Sequence, residues 1–128
     1  RDRSLFMAEV RRLSATLKAA RQRAVMERTA YAVLTGTDTE GVPYYWLERE
    51  GRAEGGPVSL PFGFELTETE IVFYPRGYAT EGELLIRDDR GHEALIRVDP
   101  ILGEVRVSAE GRQGGFSLLE VLVAVVVL

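Results

Sequence analysis

The chain of 128 residues holds one histidine, His92, and no cysteine. Without thiols, disulfides, thiolate metal sites and cysteine nucleophiles are excluded. His92 follows the turn Asp88-Asp89-Arg90-Gly91, and no second ligand or base stands near it in the sequence. It reads as a surface histidine. Asp88 and Asp89 are adjacent acids beside a glycine. A calcium loop needs oxygen ligands spaced along the chain, whereas a hairpin turn accounts for this pair with less. Ser59 and Ser108 lack the glycine elbow of a nucleophilic serine, and no phosphate-binding glycine loop precedes a helix. The expectation is a protein that is not an enzyme and carries no cofactor or metal.

Glu120 is the remaining residue whose setting suggests chemistry. It sits in GGFSLLE (114–120), ahead of the apolar VLVAVVVL (121–128). The 13 residues from Phe116 to Leu128 are apolar apart from Ser117 and Glu120. A membrane-spanning helix needs about 20, so the run is either a truncated membrane helix or a buried strand. The β-branched stretch suits a strand. A carboxylate at its head does not, because a buried unpaired charge is costly. At a membrane surface that cost disappears if Glu120 meets the free amine of a neighbouring subunit.

The elements ahead of this tail are legible. Phe6, Val10, Leu13, Leu17, Ala20 and Ala24 recur at spacings of four and three, the stripe of an amphipathic helix over 4–28. Ser4 is the expected N-cap. After Arg28 the period falls to two. Strands are predicted over 29–35 and 42–50, with 36–41 as their turn. Tyr44, Tyr45 and Trp46 then alternate between faces, so that part of this aromatic cluster is core. Residues 51–57 read as an exposed loop. Pro61 and Gly63 limit 58–66 to a short edge strand. Further strands are predicted over 70–75, 82–88, 92–99 and 104–109, with Ala94, Ile96 and Val98 on one face and Val105 and Val107 inward. One helix followed by consecutive strands is an α+β fold, the N-terminal helix packed on antiparallel sheet.

The net charge of −4 divides unevenly. Residues 1–28 carry eight basic and three acidic side chains, or +5, and the rest carry −9. A basic helix on an acidic body serves either nucleic-acid binding or internal charge complementarity, and the second is the expected use. The chain opens on RDRSLF with no initiator methionine or secretory signal and reads as cut from something longer.

The tail closely resembles a type IV prepilin leader. Gly115-Phe116 matches the prepilin peptidase cleavage site, with Arg112 as the positive charge before it. The resemblance implies N-methylation of Phe116 and an assembly role for Glu120, fifth residue after the cut. Residues 4–109 resemble the globular part of a minor pseudopilin of the GspH/FimT family. The resemblance rests on the amphipathic stretch 13–36, on Phe73-Tyr74-Pro75-Arg76-Gly77 closing a strand, and on RVDPILGEVRV (97–107). It implies a pilin-like fold, in which Phe6, Val10, Leu13 and Leu17 hold the helix on the sheet. It also implies a bacterial inner-membrane protein with a periplasmic domain (1–110), partnered by major and minor pseudopilins near the tip of a type II secretion pseudopilus. Prepilin peptidase becomes a partner if residues 111–128 are recognised. A pilin carries such a leader ahead of its domain, whereas here it follows one. The expectation is therefore a pseudopilin body without its own leader and membrane helix, joined through a frameshift, a gene-calling error or a fusion to the leader of an I-type pseudopilin. A designed or permuted chain is the alternative. The type IV pilus minor pilins of FimT type form a second reading, some of them binding DNA. With a body at −9, nucleic acid is not an expected partner.

Overall fold

The computed structural model describes residues 2–110 and 125–127. Helix α1 (Asp2–Glu27) is followed by β1 (Tyr31–Thr37), β2 (Pro43–Arg49), β3 (Arg52–Ala53), β4 (Val58–Ser59), β5 (Glu65–Leu66), β6 (Glu70–Phe73), β7 (Gly82–Arg87), β8 (Glu93–Val98), β9 (Val105–Glu110) and β10 (Val125–Val127). They build two antiparallel sheets. The first runs β3-β2-β1-β6, with β4 also on β2; the second runs β10-β9-β8-β7-β5. This is the expected α+β layout, a helix on antiparallel sheet, consistent with a pilin-like fold.

The helix stripe does what its spacing dictates. Phe6, Val10, Leu13, Leu17, Ala20 and Ala24 are fully buried. They meet Tyr31, Val33, Tyr45, Ile71 and Phe73 from the first sheet and Leu84, Ile86, Ile96, Val98, Val105 and Val107 from the second, in one core. Both sheets therefore close on one helix face. Removing this much apolar surface from water is the main stabilising term.

The helix ends are corrected by the structure. Ser4 lies exposed inside α1 and is not its N-cap. At the other end Arg28 takes the left-handed conformation, φ +57°, and the Thr29 amide donates to the Ala24 carbonyl at 3.2 Å. That is a Schellman stop, built on an arginine where glycine is usual. Because residues 28–30 belong to this stop, β1 begins two residues later than predicted. It also runs through Gly36 and Thr37, which pair with Tyr44 and Pro43. Behind the stop, Tyr31 donates its hydroxyl to Glu27, and the Arg23 guanidinium lies 4.7 Å from the Tyr31 ring centre. The Tyr31 hydroxyl and the Arg23 guanidinium hold the Glu27 carboxyl below its usual range.

The loop expected over 51–57 contains β3. Glu50 and Gly51 both have positive φ, 50° and 82°, and join Arg49 to its partner Arg52 as the type I′ turn of a tight hairpin. Residues 58–66 supply two short edge strands, β4 and β5, separated by the Pro61–Gly63 stretch.

Candidate functional site

Three features are candidates: the helix–sheet seam with its turn junction, the His92 turn, and the leader-like tail. In the seam, α1 carries Arg21 to the place where the two sheets' turns meet. The first turn, 74–78, closes through the Tyr74 amide donating to the Tyr78 carbonyl at 2.9 Å and the Gly77 amide donating to the Tyr74 carbonyl at 2.9 Å. The second, 99–103, is held by the Asp99 carboxylate, whose Oδ1 accepts the Ile101 amide at 2.9 Å. Arg21 Nε donates to the Leu102 carbonyl at 2.9 Å, and the Ala79 amide donates to the Pro100 carbonyl at 2.9 Å. Gly103 has φ +67°, and a Cβ there would lie 2.4 Å from the Gly77 carbonyl oxygen. The two stretches that carry the family resemblance, 73–77 and 97–107, are thus brought together around one arginine of the helix.

His92 is not a surface residue. It is fully buried, its ring 5.4 Å from that of Phe6, and its Nδ1 lies 2.8 Å from Asp88 Oδ2. Asp88 Oδ1 accepts the amides of Arg90 at 3.0 Å and His92 at 2.9 Å. Burial raises the Asp88 carboxyl, but the His92 ring and these two amides outweigh it and hold the group below the usual carboxylate range. The signal was present in the sequence. His92 is in phase with Ala94, Ile96 and Val98, so strand alternation already points it inward. Its ring neighbour Phe6 is apolar and is itself stacked on Phe64, and its job is to tie the β7–β8 turn to the start of α1. Asp88 and Asp89 do form the expected hairpin turn, and Asp88 spends its oxygens on that turn.

The charge asymmetry is used in part within the domain. Arg12 pairs with Glu9 at 2.7 Å, Arg23 with Glu27 at 3.0 Å and Glu54 at 2.9 Å, and Arg49 reaches back to Glu27 at 3.4 Å. Arg11 and Lys18 make no ion pair among the described residues.

The tail sites Gly115, Phe116 and Glu120 lie outside the described residues. Val125–Val127 form a strand on the β9 edge, in register with Ser108, Val107 and Arg106. Among the described residues no helix is long and apolar enough to cross a membrane.

Residues 111–128 match the family model of the prokaryotic N-terminal methylation motif. No curated protein and no solved structure matches the chain. The motif covers the whole leader-like segment, Gly115, Phe116 and Glu120 included.

Proposed function

We propose that this chain is a minor pseudopilin of the GspH type, a structural subunit that acts by assembly and not by catalysis. Its domain would stand in the periplasm at the bacterial inner membrane, near the tip of a type II secretion pseudopilus. The observation that carries the reading is the methylation motif over 111–128, placed on a chain whose domain is one helix laid on antiparallel sheet. The motif spans Gly115-Phe116 and Glu120, which this reading takes as the cleavage site and the assembly glutamate. It supports a pilin-type relationship; the GspH identity, the secretion system and the pseudopilin partners are our reading of the body.

The test is co-expression with a prepilin peptidase, followed by intact mass and N-terminal sequencing. A cut between Gly115 and Phe116, with a methyl group on the new Phe116 amine, supports the proposal. An uncut chain, under conditions where a control prepilin is processed, overturns it. The FimT-type reading with DNA binding would rest on Arg11 and Lys18, two exposed-face cations of the helix that make no ion pair among the described residues. A gel shift at low salt, lost in Arg11→Glu/Lys18→Glu, would favour it; no shift at low salt ends it.

A further inference from the structure

The outward face of the first sheet carries a stacked aromatic pair, the platform. Tyr44 and Trp46 stack with ring centres 5.4 Å apart and planes 22° from parallel, and both are only half-buried. Gly36, opposite Tyr44 in register, makes room for the ring: a Cβ at Gly36 would lie 3.1 Å from the Tyr44 hydroxyl oxygen. Two carboxylates share this face. Glu48 pairs with Ala32 and Glu70 with Leu34, so all of these side chains point away from α1. Glu48 accepts the Trp46 indole N–H at 2.9 Å. Neither carboxylate has a cationic partner among the described residues. Ring faces attract cations, and unpaired carboxylates attract them further while repelling phosphate. The chemistry that fits this surface is a smooth face bearing two cations.

The opposite side of the molecule presents such a face. The outward ridge of α1 is lined by Ala8, Ala15 and Ala19, all exposed, so a flat surface can approach it closely. Arg11 and Lys18 flank the ridge without carboxylate partners. Seven residues apart, they are separated by about 10 Å along the helix. Glu48 and Glu70 are two strands apart and offset by two residues, which places them about 12 Å from each other. Charge, smoothness and spacing all agree.

We propose that the platform is filled by a second copy of this chain. The outer ridge of α1 on one copy lies over Tyr44 and Trp46 of the next, with Arg11 and Lys18 set against Glu48 and Glu70. Each copy uses two different surfaces, so the contact is heterologous and head-to-tail. It goes beyond the assembly reading above, whose partners are other subunits, and rests on it only for its biological sense, while the contact itself is tested without leader processing.

The test exploits the absence of cysteine in the chain. Full-length Ala15→Cys and Ser59→Cys variants are purified in mild detergent, mixed and oxidised. Ser59 is exposed and stands beside Tyr44 in register. A covalent dimer in the mixture, well above either variant alone, is expected, as is a ladder from the double variant. Adding Arg11→Glu/Lys18→Glu to the Ala15→Cys copy should lower the mixed product about tenfold. Adding Glu48→Lys/Glu70→Lys to the other copy should restore it. Melting curves confirm that each variant is folded. The proposal is overturned if the mixed product is no greater than with Arg97→Cys, a control site on the second sheet, or if charge reversal leaves it unchanged. Such a failure would leave the leader-cleavage test standing, and an uncut leader would leave this contact standing.

Discussion

Gly103→Ala should damage the domain out of proportion to the methyl group it adds. Gly103 has φ +67°, where an L residue is disfavoured by about 1–2 kcal/mol. The new Cβ would fall 2.4 Å from the Gly77 carbonyl oxygen and 2.7 Å from Arg21 Nε. Arg21 is a flexible side chain and can swing away, which would forfeit its bond to Leu102 at a cost of about 1–2 kcal/mol. The Gly77 oxygen is backbone and cannot, so the two turns must separate. The first two terms cost about 2–4 kcal/mol together, and parting the turns adds to that. Gly55 is the internal control: it has φ +81° with nothing within 4 Å of its Cβ position. Gly55→Ala therefore isolates the backbone cost of about 1–2 kcal/mol. The assay is thermal unfolding by circular dichroism. Gly103→Ala should melt on the order of 10 °C below Gly55→Ala, at about 4–8 °C per kcal/mol for a domain of this size. Arg21→Ala should not rescue it, because the unyielding neighbour is backbone. Equal melting temperatures for the two alanine variants would refute the account of the junction.

Three further outcomes are expected. Leu13→Ala empties a fully buried position between helix and sheets and should cost about 2–5 kcal/mol, read as a lower urea midpoint; a smaller loss would mean that the helix is not held by this ridge. Arg28→Gly removes the strain of φ +57° and should raise stability by up to about 1 kcal/mol, whereas a loss would show that the arginine side chain does more there than end the helix. The folded Asp88 carboxyl lies below its usual value, so its stabilising contribution is complete above an unfolded pKa of about 3.9 and is lost as pH falls through the lowered folded value. Asp88→Asn should accordingly flatten the fall in urea midpoint below about pH 4, and parallel pH profiles would contradict the assignment.

The helix was legible because Phe6 to Ala24 repeat at one period over 19 residues, and only a core-facing helix makes such a pattern coherent. Its ends were not, since an arginine in the left-handed conformation gives no compositional sign of a Schellman stop. The β7–β8–β9 meander was legible for a related reason: its apolar residues alternate, and the turns at Asp88 and Asp99 are marked by aspartates that cap their own loops. His92 was misplaced because residue type was weighed above strand phase. Arg21 was missed because its partner is a carbonyl 81 residues away, a pairing set by tertiary structure that no local pattern encodes. Of the candidate sites, the leader-like segment was read from its residues and matched by the methylation motif. The aromatic cluster was read as partly core, and Tyr45 is indeed buried. That Tyr44 and Trp46 form a platform depends on their register with Leu34 and Gly36, which the sequence does not state.

The basic helix shows how total charge misleads until each cation is placed. Eight basic residues in the first 28 suggest a polyanion partner. Arg12 and Arg23, however, end on carboxylates, and Arg21 ends on a carbonyl. Such exposed pairs contribute little stability, but they remove charge from the surface that a polyanion would meet. Among the described residues Arg3, Arg11, Lys18 and Arg28 stand clear of carboxylates, and of these Arg11 and Lys18 lie two helical turns apart beside a ridge of alanines. A nucleic acid would gather many cations from a continuous patch. Two cations at a fixed spacing on a smooth helix favour a partner that presents two fixed anions on a flat face, and the Glu48–Glu70 face of this same chain does so. The two readings separate on salt and stoichiometry: crosslinking between copies should persist where two surface ion pairs are merely weakened, while binding to a polyanion should collapse steeply as counterions compete.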